Sequence, residues 1–306
     1  MQERPPLRVV VVHWNQPVQC IATIGRFAAA ETPVRITVVD NASTPANLAR
    51  LRDGIDRMLE RRAGPTSVEV VEAGGNAGFG PGANVGLRRF LRDPLDGDWV
   101  VVCPHDVDPA TDCLAALLEA GERDPLVGLM CADVGDGMVP VIDPYFGGMV
   151  VPAPPGVGWL DADYPHGTLM MARRSCLAEV GIFDERYFSY CEEADLGLRA
   201  RRAGWRVGLV RGARVTNQYV GSSVALVDYL QTRNTLLLVQ EMSGWYHVTI
   251  RASITLWQTL AGVLRPDRRP LIFDARARLR GLRDFALRRF GPPSVSPATE
   301  RRARRR

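Results

Sequence analysis

The sequence predicts an α/β protein with a Rossmann-like, mainly parallel central sheet flanked by helices and a helical C-terminal appendage. Three observations carry that prediction. Short β-branched runs alternate with stretches of helical apolar spacing through the first hundred residues, the signature of βαβ units with helices on both faces of a sheet. Each of the first four runs ends in, or is followed within three residues by, Asp or Asn. Arginine then concentrates at the end of the chain, with 14 Arg against 4 acids from Arg265 to Arg306.

In order, "LRVVVV" (7 to 12) is the first strand and "VQCIATIGRFAAA" the first helix. "RITVVD" (35 to 40) is the second strand, followed by a helix from about Leu48 to Arg61. "SVEVVEA" (67 to 73) is the third strand, the Gly-rich "GGNAGFGPGANVGLRRFL" opens a helix, and "DWVVVCP" (98 to 104) is the fourth strand. From about 134 to 163 the composition turns to Gly, Pro and Val, which predicts a loop or hairpin beside the strand ends. A strand, a short helix, an aromatic loop, a helix and a strand follow to about residue 210. Residues 225 to 264 read as helical and largely apolar. The expected division is a catalytic-type domain over 1–240 and an Arg-rich helical extension over 241–306.

With 306 residues, 46% of them hydrophobic and 24% charged, the chain can bury a large core. Its net charge of +4 hides an acidic body and a basic tail of net +10. All 38 basic residues are Arg, so no lysine is available for Schiff-base chemistry. The six cysteines form no C-x-x-C pair, and the apolar run at the N-terminus is too short for a signal-peptide core. A cytoplasmic, reduced protein is expected, and no window is apolar for the ~18 residues a spanning helix requires.

In open α/β sheets ligands bind at the carboxyl ends of the strands. Asn15, Asp40, Asn41, Asn76 and the pair Asp106 and Asp108 all fall there. Asp and Asn also make turns and caps, and either reading holds for each residue alone. Asp106 and Asp108 flank Val107 after the fourth strand, where two carboxylates suit a hard divalent ion that also takes substrate phosphates. The glycines of "GGNAGFGPGANVG" match a dinucleotide fingerprint only loosely; they imply a backbone that something approaches closely, with Asn76, Gly78, Phe79 and Asn84 beside it. "YCEEADLGLRARRAG" places Glu192, Glu193 and Asp195 at a helix start. There they favour the helix dipole or pair with Arg199; alternatively, the aromatic "FDERYFSY" before them raises a carboxylate into the range of a general base. His13, His105, His166 and His247 match no metal spacing.

These motifs in this order resemble glycosyltransferase family 2, the inverting sugar transferases of the GT-A fold. The matching pieces are "VVVVHWNQP", "VVDNAST", "GNAGFGPGANVGLR", "CPHDVD", the long segment from Gly167 to Val207, "ARVTNQYVGSS" and "YLQTRN". The resemblance implies a nucleoside-diphosphate sugar donor, UDP- or dTDP-linked, and an acceptor hydroxyl on a glycan or lipid-linked carrier, as in rhamnosyl transfer for cell-surface polysaccharide. It implies that Asp40 holds the base or ribose, that Asn76 and Gly78 border the nucleotide, and that Asp106, assisted by Asp108, binds a divalent cation (Mg²⁺ or Mn²⁺). Glu193 stands at the place of the family's base, and Glu192 and Asp195 orient the acceptor or brace the loop. Asn217 stands where many relatives carry a metal-completing histidine.

Two other readings are weighed. A nucleotidyltransferase would carry a Gly-rich, basic signature after the first strand, which "HWNQPVQC" lacks. A non-catalytic nucleotide- or sugar-binding relative is argued against by retention of Asp106, Glu193 and Asp195. The apolar segment from Trp245 and the Arg-rich end suit either peripheral contact with an anionic membrane or a packed C-terminal helix followed by a disordered basic end. Nucleic acid is not expected, since no reading module accompanies the charge.

Overall fold

The structure, a computed structural model, describes residues 5–61, 66–217 and 223–293. Its strand order is β3-β2-β1-β4-β10-β6-β11-β5, with β9 paired to β11. β1 (Leu7–His13) is buried along its whole length, because it runs parallel between β2 (Val34–Asp40) and β4 (Trp99–Pro104). β3 (Ser67–Glu72) lies parallel on the outer side of β2. Both faces of β1 are apolar because both are covered by helices. Val9 and Val11 pack under α1 (Pro17–Ala28), α2 (Pro45–Glu60) and α4 (Cys113–Glu122). Val10 and Val12 pack under α3 (Phe79–Arg92), α5 (Arg174–Val180) and α6 (Glu192–Arg202). The alternation follows the two-residue period of a strand.

The middle of the sheet departs from a simple parallel arrangement. β10 (Met170–Arg173) is inserted antiparallel between β4 and β6 (Val127–Asp133), and β11 (Arg206–Asn217) returns parallel to β6. The short β5 (Val107–Pro109) pairs antiparallel with the far end of β11. The Gly/Pro/Val-rich segment forms a hairpin, β7 (Met138–Asp143) with β8 (Gly147–Pro152), and β9 (Gly158–Asp161) then joins β11. At the end of the sheet away from the strand carboxyl termini, buried Arg8 is held by Asp96 (2.8 Å), Thr37 (2.8 Å) and Glu69 (3.1 Å). A buried charge of this kind is tolerated because it is fully partnered.

The helical stretch expected over 225–264 is two helices. α7 (Val224–Ser243) ends at Gly244, whose φ of +79° terminates it, and α8 (Trp245–Leu264) leaves in a new direction. α7 runs across residue 240 and packs against α9 (Ala275–Ala286). All six cysteines are free and five are buried. No helix among the described residues is long and apolar enough to cross a membrane. The terminal "RRARRR" lies outside the described residues.

Candidate active site

The polar residues ending the first three strands are bound chiefly to one another. His13 Nε2 accepts from the Gln16 amide at 3.2 Å, so its proton sits on Nδ1, which donates to Asp40 Oδ1 at 2.9 Å. The other Asp40 oxygen accepts from the Ser43 amide at 3.0 Å. Burial raises the Asp40 pKa, but the bonds from His13 and Ser43 outweigh it and hold the carboxyl below its ordinary value. Asn15, at φ +55°, accepts from the Thr44 amide (2.8 Å) and from Asn47 Nδ2 (3.1 Å). Asn41 is buried and donates to the Gly78 carbonyl at 2.7 Å, while Asn76 Oδ1 accepts from the Gly78 amide at 3.1 Å.

The glycines serve close packing. A Cβ on Gly78, at φ +100°, would stand 1.7 Å from the Phe188 carbonyl oxygen, and one on Gly86 would stand 2.5 Å from Val10. The Phe79 amide donates to that same Phe188 carbonyl at 2.8 Å. Asn84, fully buried, bonds the Phe183 carbonyl (2.9 Å) and the Phe183 amide (3.1 Å). The Gly-rich stretch thus clamps the start of α3 to the aromatic loop that leads into α6.

The turn after β4 is different. Thr23 of α1 holds it by donating to the carbonyls of His105 and Val107. His105 Nδ1 donates to the Val12 carbonyl at 3.1 Å, and its buried Nε2 has no hydrogen-bond partner among the described residues. Burial, against the Val12 bond and with nearby His13, lowers its pKa to about 4, so the ring is neutral. Asp106 is half-buried, and burial raises its pKa. Asp108 faces away, into a shallow groove with Arg214 and Thr216, and pairs with Arg26 at 2.9 Å. Asn217 lies opposite Val107, and Thr216 opposite Asp108, in the β5–β11 register.

The third cluster opens α6. Tyr190 and Cys191 have φ of +71° and +74°, two consecutive left-handed residues that turn the chain sharply before Glu192. Buried Asn234 of α7 fixes this turn by donating to the carbonyls of Ser189 (2.8 Å) and Tyr190 (2.9 Å). Arg233 donates to Asn234 Oδ1 at 3.0 Å and reaches the Gly291 carbonyl at 2.9 Å. Glu192 is 1% exposed, and its Oε2 has no partner among the described residues. Glu193 lies against Gly167, where a Cβ would meet its Oε1 at 1.8 Å. Burial raises the Glu193 pKa to about 7; burial and the charge of Glu193 raise that of Glu192 well above 4.5. Asp195 is occupied by Arg199 at 2.9 Å, and burial raises its pKa against that pairing.

The fold therefore sets Asp106, Asn217 and His105 at the strand ends, and Glu192 and Glu193 at the head of α6. Asn15, Asp40, Asn41 and Asn84 bind chiefly the protein's own backbone and side chains. Asn234, Arg233 and Gly167 were given no role by sequence reasoning. "YLQTRN" and the Gly before the β10 run were visible, but the carbonyls and carboxylate they meet lie 26 to 58 residues away. Among the described residues no group of three or more His, Cys, Asp or Glu is arranged to hold a metal.

No family model matches the chain. It is 27% identical over 270 residues to the N-acetylglucosaminyl-diphospho-decaprenol L-rhamnosyltransferase of Mycobacterium tuberculosis, covering 74% of this chain and 83% of that one. It is 25% identical over 211 residues to the low-salt glycan biosynthesis hexosyltransferase Agl10 of Haloferax volcanii, covering 66% and 64%. Among solved structures it resembles the mannosyltransferase PcManGT of Pyrobaculum calidifontis, solved with GDP-Man and Mn²⁺, with a TM-score of 0.58 and 15% identity over 94% of this chain and 88% of that one. The chain has the GT-A fold, and the relatives matching most of its length are glycosyltransferases.

Proposed function

We propose that this protein is an inverting glycosyltransferase that moves a sugar from a UDP- or dTDP-linked donor to a hydroxyl of a glycan or lipid-linked acceptor in cell-surface polysaccharide or glycoconjugate assembly. The observation that carries the reading is Glu193: a carboxyl at the head of α6, packed against Gly167 and next to buried Glu192, with its pKa raised to about 7 by burial. A base whose pKa lies near neutrality is matched to removing a proton from an alcohol in the transition state. The acceptor O–H proton passes to Glu193 as the oxygen bonds to the anomeric carbon. The bond from that carbon to the diphosphate breaks, and the leaving oxygen keeps the electron pair. Gly167 leaves room for the Glu193 carboxylate itself, which any larger residue there would displace.

Asp106, half-buried, would hold a divalent cation, and Asn217, opposite Val107 in the β5–β11 register, would add a neutral oxygen ligand. Such an ion, when bound, neutralises charge on the leaving diphosphate. Asp108 joins it only by releasing Arg26. In this reading Asn76, Gly78 and Phe79 border the nucleotide, Asp40 and Asn41 hold the strand ends behind it, and Asp195 braces α6. The reading places the protein at the cytoplasmic face of a membrane; that the acceptor of the mycobacterial relative is lipid-linked by name supports the membrane setting.

Calorimetric titration with UDP and with dTDP, each with and without Mn²⁺, on wild type and Asp106→Ala tests the donor site. Metal-dependent binding of one nucleotide that is lost in the variant is expected. Equal binding by the variant overturns the assignment of Asp106.

A further inference from the structure

α8 has two faces, and only one is used by the fold. Val248, Thr255, Thr259 and Gly262 are buried, the last against Phe273, and mark the packed side at helical spacing. The opposite side carries Tyr246, Leu256, Trp257, Leu260 and Leu264, between 49% and 70% exposed. Leu271, just past the helix, is fully exposed. Large apolar side chains this exposed on one side of a helix, densest from Leu256 to Leu264, mark an interaction face.

The surroundings of this face select its occupant. Between residues 245 and 293 there are ten arginines and three acids; Arg265 and Arg268, which follow α8 directly, and Arg276 at the start of α9 are exposed. α8 itself contains no acid. A second copy of the same face would bring like charges together, whereas an anionic lipid surface is complementary to them. Trp and Tyr with an apolar body and a polar edge are suited to the headgroup boundary.

We propose that the outer face of α8, with the arginines that follow it, docks on an anionic membrane leaflet, the helix lying in the plane of the headgroups with Trp257, Leu260 and Leu264 directed toward the acyl chains. The donor chemistry at Asp106 and Glu193 is not needed for this contact. It deepens the reading of a lipid-linked acceptor by bringing the protein to the surface where such an acceptor is embedded. The two fail separately, since nucleotide binding and vesicle binding are measured independently.

The test is co-sedimentation of the full chain with sucrose-loaded vesicles of phosphatidylcholine alone and with about 30 mol % phosphatidylglycerol. Wild type is expected to pellet with the anionic vesicles and to remain largely in the supernatant with the neutral ones. Trp257→Glu with Leu260→Glu is expected to lower vesicle partition by at least about tenfold, with the thermal midpoint and nucleotide titration unchanged. Arg265→Gln with Arg268→Gln and Arg276→Gln is expected to weaken binding and flatten its salt dependence. Wild type left in the supernatant overturns the proposal, as does a Trp257/Leu260 variant that pellets like wild type. A wild-type dimer that this variant converts to monomer, with neither form pelleting, assigns the face to a second copy and also overturns it.

Discussion

Asp40 and Asn41 at the end of β2, Asn84 in α3 and Glu192 at the head of α6 are all buried, yet their hydrogen bonding differs. Asp40, Asn41 and Asn84 have partners for their side chains at 2.7 to 3.1 Å. Glu192 keeps an oxygen without one, and Glu193 has a pKa raised to about 7. A buried polar group with its bonds made stabilises a structure, whereas one left short costs about 1–3 kcal/mol. The difference teaches where to look for chemistry. Partnered groups hold the crevice in shape, and the under-partnered carboxyl of Glu192 marks Glu193 beside it as the place for chemistry.

The comparison breaks most sharply at Glu193. Glu193→Gln keeps the shape and removes the base, so transfer should fall by about 10²–10⁴-fold with nucleotide affinity unchanged; steady-state kinetics beside calorimetry separates the two. Next in size is Asn234→Ala, which frees the Ser189 and Tyr190 carbonyls and lets the left-handed turn relax. We expect kcat to fall by about 10- to 100-fold with KM little changed, as displacement of a catalytic group by about an ångström does.

On the partnered side, Asn84→Ala should cost about 2–3 kcal/mol of stability, read as a lowered urea midpoint, while the folded fraction keeps its turnover. The smallest effect belongs to Glu192→Gln. The folded-state pKa of Glu192 lies above its ordinary 4.5, so the stability it contributes is complete below that ordinary value and is lost as pH rises. The variant should therefore melt about 1–2 °C higher than wild type at pH 8, the effect of about 1 kcal/mol in a chain this long, and no higher at pH 4.

Much of this architecture is legible in the amino-acid sequence. Runs such as "LRVVVV" and "RITVVD" announce parallel strands because burial on both faces leaves no polar alternation. Glu193 stands out because two acids follow an aromatic loop at a helix start. The antiparallel insertion of β10 is not legible, since "LMMAR" records that a strand exists and not its direction. Nor is the role of the glycine stretch. Gly78 and Asn84 answer to Phe188 and Phe183, 110 and 99 residues on, and spacing within the stretch mimics a phosphate loop. The break at Gly244 has a local sign, a glycine ending an apolar helical run. The turn clamp by Asn234 has none, because the carbonyls it binds have no side-chain identity.

The central claim is that Glu193 is the base. The direct measurement is the pH dependence of nucleoside diphosphate release from UDP- and dTDP-linked sugars, with water or alcohol as acceptor, for wild type and Glu193→Gln. A base is active only when deprotonated. The wild-type rate should thus rise about tenfold per unit below pH 7 and level above it, while the variant stays near background throughout. A variant that keeps the wild-type rate and profile would contradict the claim.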